Sequence, residues 1–270
     1  MIPAPFEYEA AESAAHAVDL LARHGEDAKL MAGGHSLLPM MKLRLAVPSV
    51  VIDIGRVDEL AGIRADGDDL VIGATTCHAD VAASELVRSQ TPLLAYAAAQ
   101  VGDPQIRHRG TIGGSLAHAD PAADLPMALV ALGGVVEISG PGGTRTVSAD
   151  DFFAGFFETS LEPGELLTAV RVPRRPGPDW GYQKFVRRAN DWAIVGVAAA
   201  GGRIALANMG PVPVRARASE QALADGACVA DAAGLAAEGT DPADDIHADR
   251  AYRQHLARVL TRRALEHQTG

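Results

Sequence analysis

Apolar and polar residues follow two patterns along the chain, and each pattern predicts one kind of element. Residues 11–24 are rich in Ala and Leu and end at Gly25, which is typical of a helix closed by a glycine C-cap. Short apolar runs bounded by turn-forming residues favour strands. Further helices are predicted at 79–88, 93–101 and 125–132, and strands at 29–32, 49–54, 70–73, 135–139, 166–172, 181–187, 194–200 and 203–208. Because strands and helices interleave without regular alternation, the sequence predicts an α+β protein.

The predicted elements group into three regions and one short linker. We place these parts at residues 1–55, 56–173, 174–179 and 180–270. The linker contains Pro176, Gly177 and Pro178, which interrupt both helices and strands. The last region is predicted as a three-stranded sheet followed by two helices. Its final helix carries an apolar stripe at helical spacing, formed by Tyr252, Leu256, Val259 and Leu260.

Composition and charge exclude several classes of partner. The chain has 270 residues and a net charge of -10, which repels nucleic-acid phosphates and anionic membranes. A bound phosphate must therefore be held locally, by backbone N–H groups more than by a basic surface. Only two cysteines are present, Cys77 and Cys228, and they form no C-x-x-C pair. The sequence thus predicts no zinc or iron–sulfur site within this chain.

Targeting signals are not apparent in the sequence. The first ten residues show no basic stretch followed by an apolar one, as a secretory signal would. The longest apolar stretch, residues 193–200, is too short to cross a bilayer. We therefore expect a soluble, cytoplasmic protein.

Two glycine pairs carry the strongest chemical signal. The first glycine segment is residues 32–36 (Ala-Gly-Gly-His-Ser), and the second glycine segment is residues 111–115 (Thr-Ile-Gly-Gly-Ser). Either pair alone is equally well read as a tight turn. Together they favour a dinucleotide pyrophosphate, because glycine lets successive N–H groups converge on an anion and the flanking hydroxyls add donors. The Rossmann and P-loop glycine patterns are both absent.

Six stretches, taken in order, resemble a single family. They are AGGHSLLP at 32–39, VIDIG ending at Gly55, GTIGGS at 110–115, AHADPAAD at 117–124, YQKFVRR at 182–188 and NMGPVPVRA at 208–216. Together they span nearly the whole chain, and their spacing is specific. The chain resembles the FAD-binding medium subunit of molybdenum hydroxylases, the group that includes CO dehydrogenase and the flavin domain of xanthine dehydrogenase.

The resemblance implies a fold and a set of cofactor contacts. The fold is that of vanillyl-alcohol oxidase (PCMH type), in which two α+β subdomains hold an extended FAD and a C-terminal α+β domain covers part of the flavin. The implied contacts to FAD are Ala32, Gly33, Gly34, His35, Ser36, Leu37, Val101, Thr111, Gly113, Gly114, Ser115, His118, Asp124, Leu167, Lys184 and Trp192. No catalytic residue and no metal ligand is expected in this chain.

The resemblance also implies individual roles. The two glycine segments hold the pyrophosphate and ribityl groups, and Ser115 stands where many relatives carry Asn. Asp124 accepts hydrogen bonds from sugar hydroxyls. The Lys184 ammonium lies beside the isoalloxazine ring, where it stabilises the anionic reduced flavin. Val101 and Leu167 pack on the cofactor. Trp192 replaces the Tyr that CO dehydrogenase-type relatives often place against the flavin, so it retains ring stacking but lacks the phenol donor.

Several of these residues also have a simpler interpretation. His118, Asp120 and Asp124 have the elements of a metal site, but their spacing is not typical of one, and a helix cap by Asp120 next to Pro121 is favoured. Lys184 is equally compatible with a solvent-facing strand position. Trp192 is compatible with a core position, and Cys77 is expected to be a core thiol.

The resemblance implies an electron-transfer subunit with noncovalently bound FAD. An iron–sulfur small subunit and a molybdenum-cofactor large subunit are the implied partners, as a dimer of heterotrimers. NAD, oxygen or a quinone is the electron acceptor, and CO, purines, N-heterocycles and aldehydes all remain open as substrates. One alternative is a stand-alone oxidase with FAD attached through His35, and another is a nucleotide-binding module without a redox role.

Overall fold

Four β-sheets and twelve α-helices occupy residues 2–268, the part of the chain described by this computed structural model. The mixture confirms the predicted α+β class. No helix within these residues is both long and apolar enough to span a bilayer. Residues 174–179 form neither helix nor strand, but the Arg174 and Arg175 N–H groups donate to the carbonyls of Asp68 and Gln90. The region boundaries proposed from the sequence stay predictions.

The first sheet is parallel and carries the first glycine segment at one end. Its strands are β1 (Glu7–Ala10), β2 (Ala28–Met31) and β3 (Val50–Asp53), in the order β1-β3-β2, and its helices are α1 (Ala14–His24) and α2 (Leu37–Lys42). Helix α1 begins after Ser13, whose hydroxyl accepts a hydrogen bond from His16 N, and ends at Gly25 with φ +58°. The predicted glycine cap is confirmed. The first glycine segment follows the carboxyl end of β2, a usual place for ligand-binding loops.

The second sheet is antiparallel and is flanked by most of the helices. Its strands are β4 (Ile63–Asp66), β5 (Asp69–Gly73), β6 (Val135–Gly140), β7 (Gly143–Ser148) and β10 (Leu166–Pro173), in the order β4-β5-β10-β6-β7; β8 (Phe153–Gly155) pairs with β9 (Glu158–Thr159). The helices are α3 (His78–Ala83), α4 (Glu85–Gln90), α5 (Pro92–Ala99), α6 (Pro104–Arg107), α7 (Ile112–His118), α8 (Asp124–Leu132) and α9 (Ala149–Phe152). The single helix predicted at 79–88 is wrong, because Ser84 adopts an extended backbone and caps α4 by accepting from Val87 N.

The third sheet has four strands, where the sequence predicts three. They are β11 (Trp180–Phe185), β12 (Val195–Ala200), β13 (Arg203–Ala207) and β14 (Val214–Arg215), in antiparallel order along the chain. Three helices follow instead of two: α10 (Arg217–Ala224), α11 (Val229–Gly234) and α12 (Arg250–Gln268). The edge strand β14 has only two residues, too few for any alternation of apolar and polar residues to reveal it.

Helix α8 joins the second region to the third. All nine of its residues are buried, as expected of a helix that is apolar on every side. It contacts β12, whose residues are also all buried. Along β12, Ala198 and Ala200 belong to the core shared with α8, whereas Val195, Val197 and Ala199 belong to the core under α12. The C-terminal sheet therefore packs directly against α8.

Candidate functional site

Residues from all three regions line one cavity of about 430 Å³. This volume is within the range of small-molecule sites. Fifteen of the sixteen residues predicted to contact the cofactor line it, and the exception is Lys184. Residues far apart in sequence, such as Gly34, Leu167 and Trp192, thus line the same cavity. Whether each of them touches a cofactor stays a prediction.

The first glycine segment presents unused donors to this cavity. Within the described chain, the backbone N–H groups of residues 33–37 have no hydrogen-bond acceptor, and the next one, Leu38 N, donates to Gly34 O at 3.0 Å. Gly34 has φ +75°, a conformation that L residues with side chains rarely adopt. The turn leads into α2, where Pro39 is tolerated because it lies in the first turn. Five consecutive residues with unpaired N–H groups therefore line the cavity.

Gly33 is where the two glycine segments approach each other. A Cβ on Gly33 would overlap the carbonyl oxygen of Arg109 and would lie 3.0 Å from Gly110 Cα. The obstacle is backbone on both counts, so it cannot rotate away. A residue without a side chain is required here to bring the two chain segments together.

The second glycine segment differs from its predicted form, because it is the start of a helix and the N–H groups of residues 112–115 already donate to protein oxygens. Ile112 N donates to Thr76 O, Gly113 N to Ala74 O, and Ser115 N to Thr111 O. Gly114 N donates to the hydroxyl of Thr111, which caps α7, at 3.1 Å. The expected convergence of N–H groups on an anion is therefore wrong for this segment. Its hydroxyls at Thr111 and Ser115 still line the cavity.

Asp124 lies at the buried end of the cavity in a fixed hydrogen-bond network. Its Oδ1 accepts from the Tyr182 hydroxyl, and its Oδ2 pairs with Lys184 Nζ at 2.9 Å. Lys184 also donates to Gln100 O at 3.3 Å. Burial raises the pKa of Asp124, and the Lys184 ammonium acts in the opposite direction. Burial next to Asp124 raises the pKa of Tyr182 well above its ordinary value.

This network shows that the Lys184 side chain is buried and paired. Its side chain is only 8% exposed, so the interpretation as a solvent-facing lysine is wrong. Its charge is neutralised by Asp124, and it lies behind the cavity wall instead of in it. The network links α8 to β11 and therefore joins the C-terminal sheet to the cavity.

The apolar and aromatic residues predicted at the site lie at different depths. Leu167 is buried, and Val101 is partly buried against the same core. Trp192 is 56% exposed at the cavity wall, which excludes a core role. The His118 ring packs against Phe157 in a tilted arrangement with centroids 4.9 Å apart, and burial lowers the pKa of His118.

Two further expectations near the site are corrected. Asp120 does not cap a helix, because its carboxylate accepts from Ala122 N at 2.8 Å inside a turn and α8 begins only at Asp124. Cys77 is not a core thiol; it is partly exposed, and its thiol donates weakly to His108 O at 3.5 Å. The described residues contain no cluster of three metal-ligating side chains.

His78 is the main polar residue that sequence reasoning missed. It is 4% exposed, lines the cavity and begins α3, and its backbone N–H donates to Gly110 O at 2.9 Å. Burial lowers its pKa from 6.5 to about 4, and the nearby His35 and Arg107 contribute in the same direction. In sequence it is a lone histidine after small polar residues, and only folding brings it to Gly110. Other unpredicted wall residues are mainly apolar, including Leu30, Met31, Met40, Ile54 and Ile106.

Comparison with known proteins assigns the family. Residues 4–175 match the FAD binding domain in molybdopterin dehydrogenase, and residues 180–268 match the CO dehydrogenase flavoprotein C-terminal domain. The chain belongs to the FAD-binding medium subunits of molybdenum hydroxylases. It is therefore an oxidoreductase component, and FAD is its cofactor.

Individual relatives agree over almost the full length. The carbon monoxide dehydrogenase medium chain of Hydrogenophaga pseudoflava is 44% identical over 98% of this chain and 97% of its own. The 6-hydroxypseudooxynicotine dehydrogenase complex subunit alpha of Paenarthrobacter nicotinovorans is 39% identical over 98% and 95%. A solved carbon monoxide dehydrogenase from H. pseudoflava, which lacks the Mo-pyranopterin moiety, superimposes with a TM-score of 0.95 at 45% identity, over 100% of this chain and 99% of its own.

The residues present fit FAD. Five unused N–H donors match the acceptor oxygens of a pyrophosphate, and they supply partial positive charge without a basic surface. The cavity is lined by apolar residues for most of its extent, as a flavin and an adenine require. The sequence predicts that a phosphate is held by backbone N–H groups more than by a basic surface, and the unpaired N–H groups of residues 33–37 are suited to that role.

Proposed function

We propose that this chain is the electron-transfer subunit of a molybdenum hydroxylase and binds one FAD noncovalently in the cavity. The observation that carries the proposal is the run of five unpartnered N–H groups, residues 33–37, on a cavity lined by fifteen of the sixteen residues that the family resemblance names. When bound, FAD supplies reversible uptake and release of electrons. The chain's own residues bind and orient the cofactor.

The donors at residues 33–37 hold the pyrophosphate, assisted by the side-chain hydroxyls of Ser36 and Ser115. Neither hydroxyl has a hydrogen-bond partner within the described residues, so both are free to donate to a cofactor oxygen. Glycine keeps the backbone close enough for direct contact. This arrangement explains how a chain of net charge -10 binds an anionic dinucleotide.

Asp124 orients the ribityl or ribose hydroxyls. Its two oxygens are held by Tyr182 and Lys184, which leave lone pairs on the carboxylate for further donors. Lys184 opposes the effect of burial on the pKa of Asp124 and fixes the position of its carboxylate. Leu167 and Val101 would exclude water from the cofactor, and Trp192 would offer an aromatic face to it.

The partners are an iron–sulfur subunit and a molybdenum-cofactor subunit, assembled as a dimer of heterotrimers. This chain has two cysteines, whereas common iron–sulfur clusters require four cysteine ligands. The cluster that delivers electrons must therefore belong to another chain. With FAD bound, NAD, oxygen or a quinone would serve as the external electron acceptor of this subunit.

The experiment that tests the cofactor assignment is an absorption spectrum of the purified chain before and after acid precipitation. Flavin bands near ~450 nm that pass to the supernatant as FAD support the noncovalent site. Colour retained in the pellet favours a covalent bond to His35 and the stand-alone oxidase. A colourless chain that takes up no added FAD contradicts the proposal.

Electron transfer and assembly need a separate measurement. The complex purified from its native host through a tag on this chain is analysed for iron, molybdenum and FAD. We expect all three, and we expect the FAD absorbance to bleach when the substrate of the complex is added anaerobically. Stopped-flow mixing of the reduced complex with NAD, oxygen or a soluble quinone identifies the acceptor by its rate of re-oxidation. A chain that carries FAD but recovers neither metal contradicts the partner assignment.

A further inference from the structure

His78 lies directly between the two glycine segments, although neither contains it. Its backbone N–H donates to Gly110 O, and a Cβ on Gly110 would lie 2.8 Å from His78 Nε2 and 2.9 Å from Cδ2. Gly110 in turn lies against Gly33. The Nε2 edge of the ring therefore lies beside the point where the unused donors of residues 33–37 begin.

The two ring nitrogens are in different environments. Nδ1 is fully buried and has no hydrogen-bond partner among the described residues. The ring is nevertheless part of the cavity wall, so Nε2 is the nitrogen that a ligand can reach. A buried N–H without an acceptor is rarer in proteins than an under-satisfied acceptor, which favours the proton on Nε2 and the lone pair on Nδ1. In that tautomer the imidazole presents one N–H to the cavity.

The surroundings favour an anionic oxygen as the acceptor. Arg107 acts on His78 electrostatically, and within the described chain it forms no ion pair; its guanidinium donates to the carbonyls of Val101 and Gly102. His35, on the first glycine segment, acts in the same direction. Because burial above all, together with the Arg107 guanidinium, lowers the pKa of His78 to about 4, the ring is neutral near pH 7 and donates without carrying charge.

We propose that His78 is a further cofactor-binding residue, whose Nε2–H donates a hydrogen bond to a pyrophosphate oxygen of the bound FAD. This inference rests on the proposed FAD site and adds a side-chain donor to its five backbone donors. The ring also supports Gly110, which lets the second glycine segment approach Gly33. His78 thus connects the two segments to the same phosphate.

The test compares FAD dissociation constants of the full chain after removal of bound FAD. His78→Leu removes the donor at similar size, and we expect its dissociation constant to rise about 10-fold or more, as for loss of a hydrogen bond to a charged group. His78→Gln retains a donor, and we expect a rise of less than about threefold. His255→Leu, an exposed position on α12, is the matched control and leaves the affinity unchanged.

A second measurement remains informative if His78→Leu fails to fold. In the wild-type chain with ¹⁵N-labelled histidine, we expect the neutral Nε2–H tautomer at pH 7 and a downfield shift of that proton when FAD is added. A His78→Leu chain that binds FAD as tightly as wild type, or a ring proton found on Nδ1, overturns the inference while the FAD site stands. A wild-type chain that binds no FAD instead overturns the proposed function itself.

Discussion

The two glycine segments look alike in sequence but differ in what their backbones do. In the first, the N–H groups of residues 33–37 have no acceptor in the described chain; in the second, the N–H groups of residues 112–115 are all donated to protein oxygens. Asp124, on the side of the second segment, is likewise held by Tyr182 and Lys184. The cavity thus has one wall whose donors the protein leaves unpaired, which we expect a ligand to complete (the ligand-completed wall), and one wall whose groups pair with the protein itself (the protein-completed wall).

Because of this difference, we expect substitutions in the two walls to affect different properties: FAD affinity in one case and the stability of the FAD-free chain in the other. Changes to the ligand-completed wall should mainly alter FAD affinity, since its donors have no other partner. Changes to the protein-completed wall should mainly alter the free energy of unfolding of the chain without FAD, since its groups hold one another. Four measurements test this distinction.

The largest effect is expected from breaking the buried ion pair. Lys184→Met leaves the Asp124 carboxylate, which is 3% exposed, without its cation. We expect the free energy of unfolding of the FAD-free chain to fall by about 3–5 kcal/mol in urea denaturation. Lys42→Met, at an exposed position, is the control. A loss below about 1 kcal/mol would show that the pair contributes little to this wall.

Acidification should destabilise the FAD-free chain through His78. The unfolded chain protonates this ring near pH 6.5, whereas the folded chain does so only near pH 4. Between these values the unfolded state binds the additional proton, so stability decreases as the pH falls from 6.5 to 4. The shift corresponds to about 3 kcal/mol. Urea denaturation at several pH values should show a smaller loss in His78→Asn, and an equal loss in both chains would contradict the burial of a neutral ring.

Hydrogen exchange followed by mass spectrometry compares the two segments directly. Without FAD, the amides of residues 33–37 should exchange rapidly because they have no acceptor. Saturating FAD should slow them by about 100-fold, whereas those of residues 112–115 should already be protected. Equal protection of both segments by FAD would mean that the contrast between the walls is an incorrect description of the site.

The smallest effect is expected from Gly113→Ala. A Cβ there would lie 2.6 Å from Ala74 Cβ and 2.7 Å from Ala74 O. We expect overpacking to lower the free energy of unfolding of the FAD-free chain by about 1–3 kcal/mol. Gly142→Ala is the matched control, because nothing lies within 4 Å of its Cβ position. An unchanged stability of Gly113→Ala would indicate that this wall is looser than the contacts imply.

Local sequence patterns predicted much of the fold because they report local physics. The cap at Gly25, the strand at 166–172 and the wholly apolar helix near 125–132 each depend on residues close in the chain. The break at Ser84 was missed because a side-chain hydrogen bond to Val87 N competes with helix continuation. The two-residue strand β14 was missed because its pairing with β13 is decided by tertiary contact.

The residues of the candidate site likewise include some that the sequence predicted and some that it did not. Fifteen of the sixteen residues named from the order and spacing of the motifs line one cavity. Motifs allow such a prediction because members of a family share the three-dimensional arrangement of their motif residues. The exception, Lys184, is held behind the wall by Asp124, sixty residues away in sequence. His78 was not predicted, because nothing around it in sequence indicates that it meets Gly110.

Four properties could be predicted from the sequence alone: the α+β class, the two glycine segments, the family and its cofactor. Those properties follow from residue types and their order. The tertiary structure decided which glycine segment keeps free donors, how Asp124 is paired and where His78 lies. The physical reason is that a backbone N–H or a carboxylate is satisfied by whichever partner the fold brings within hydrogen-bond distance, and that partner is usually distant in the chain.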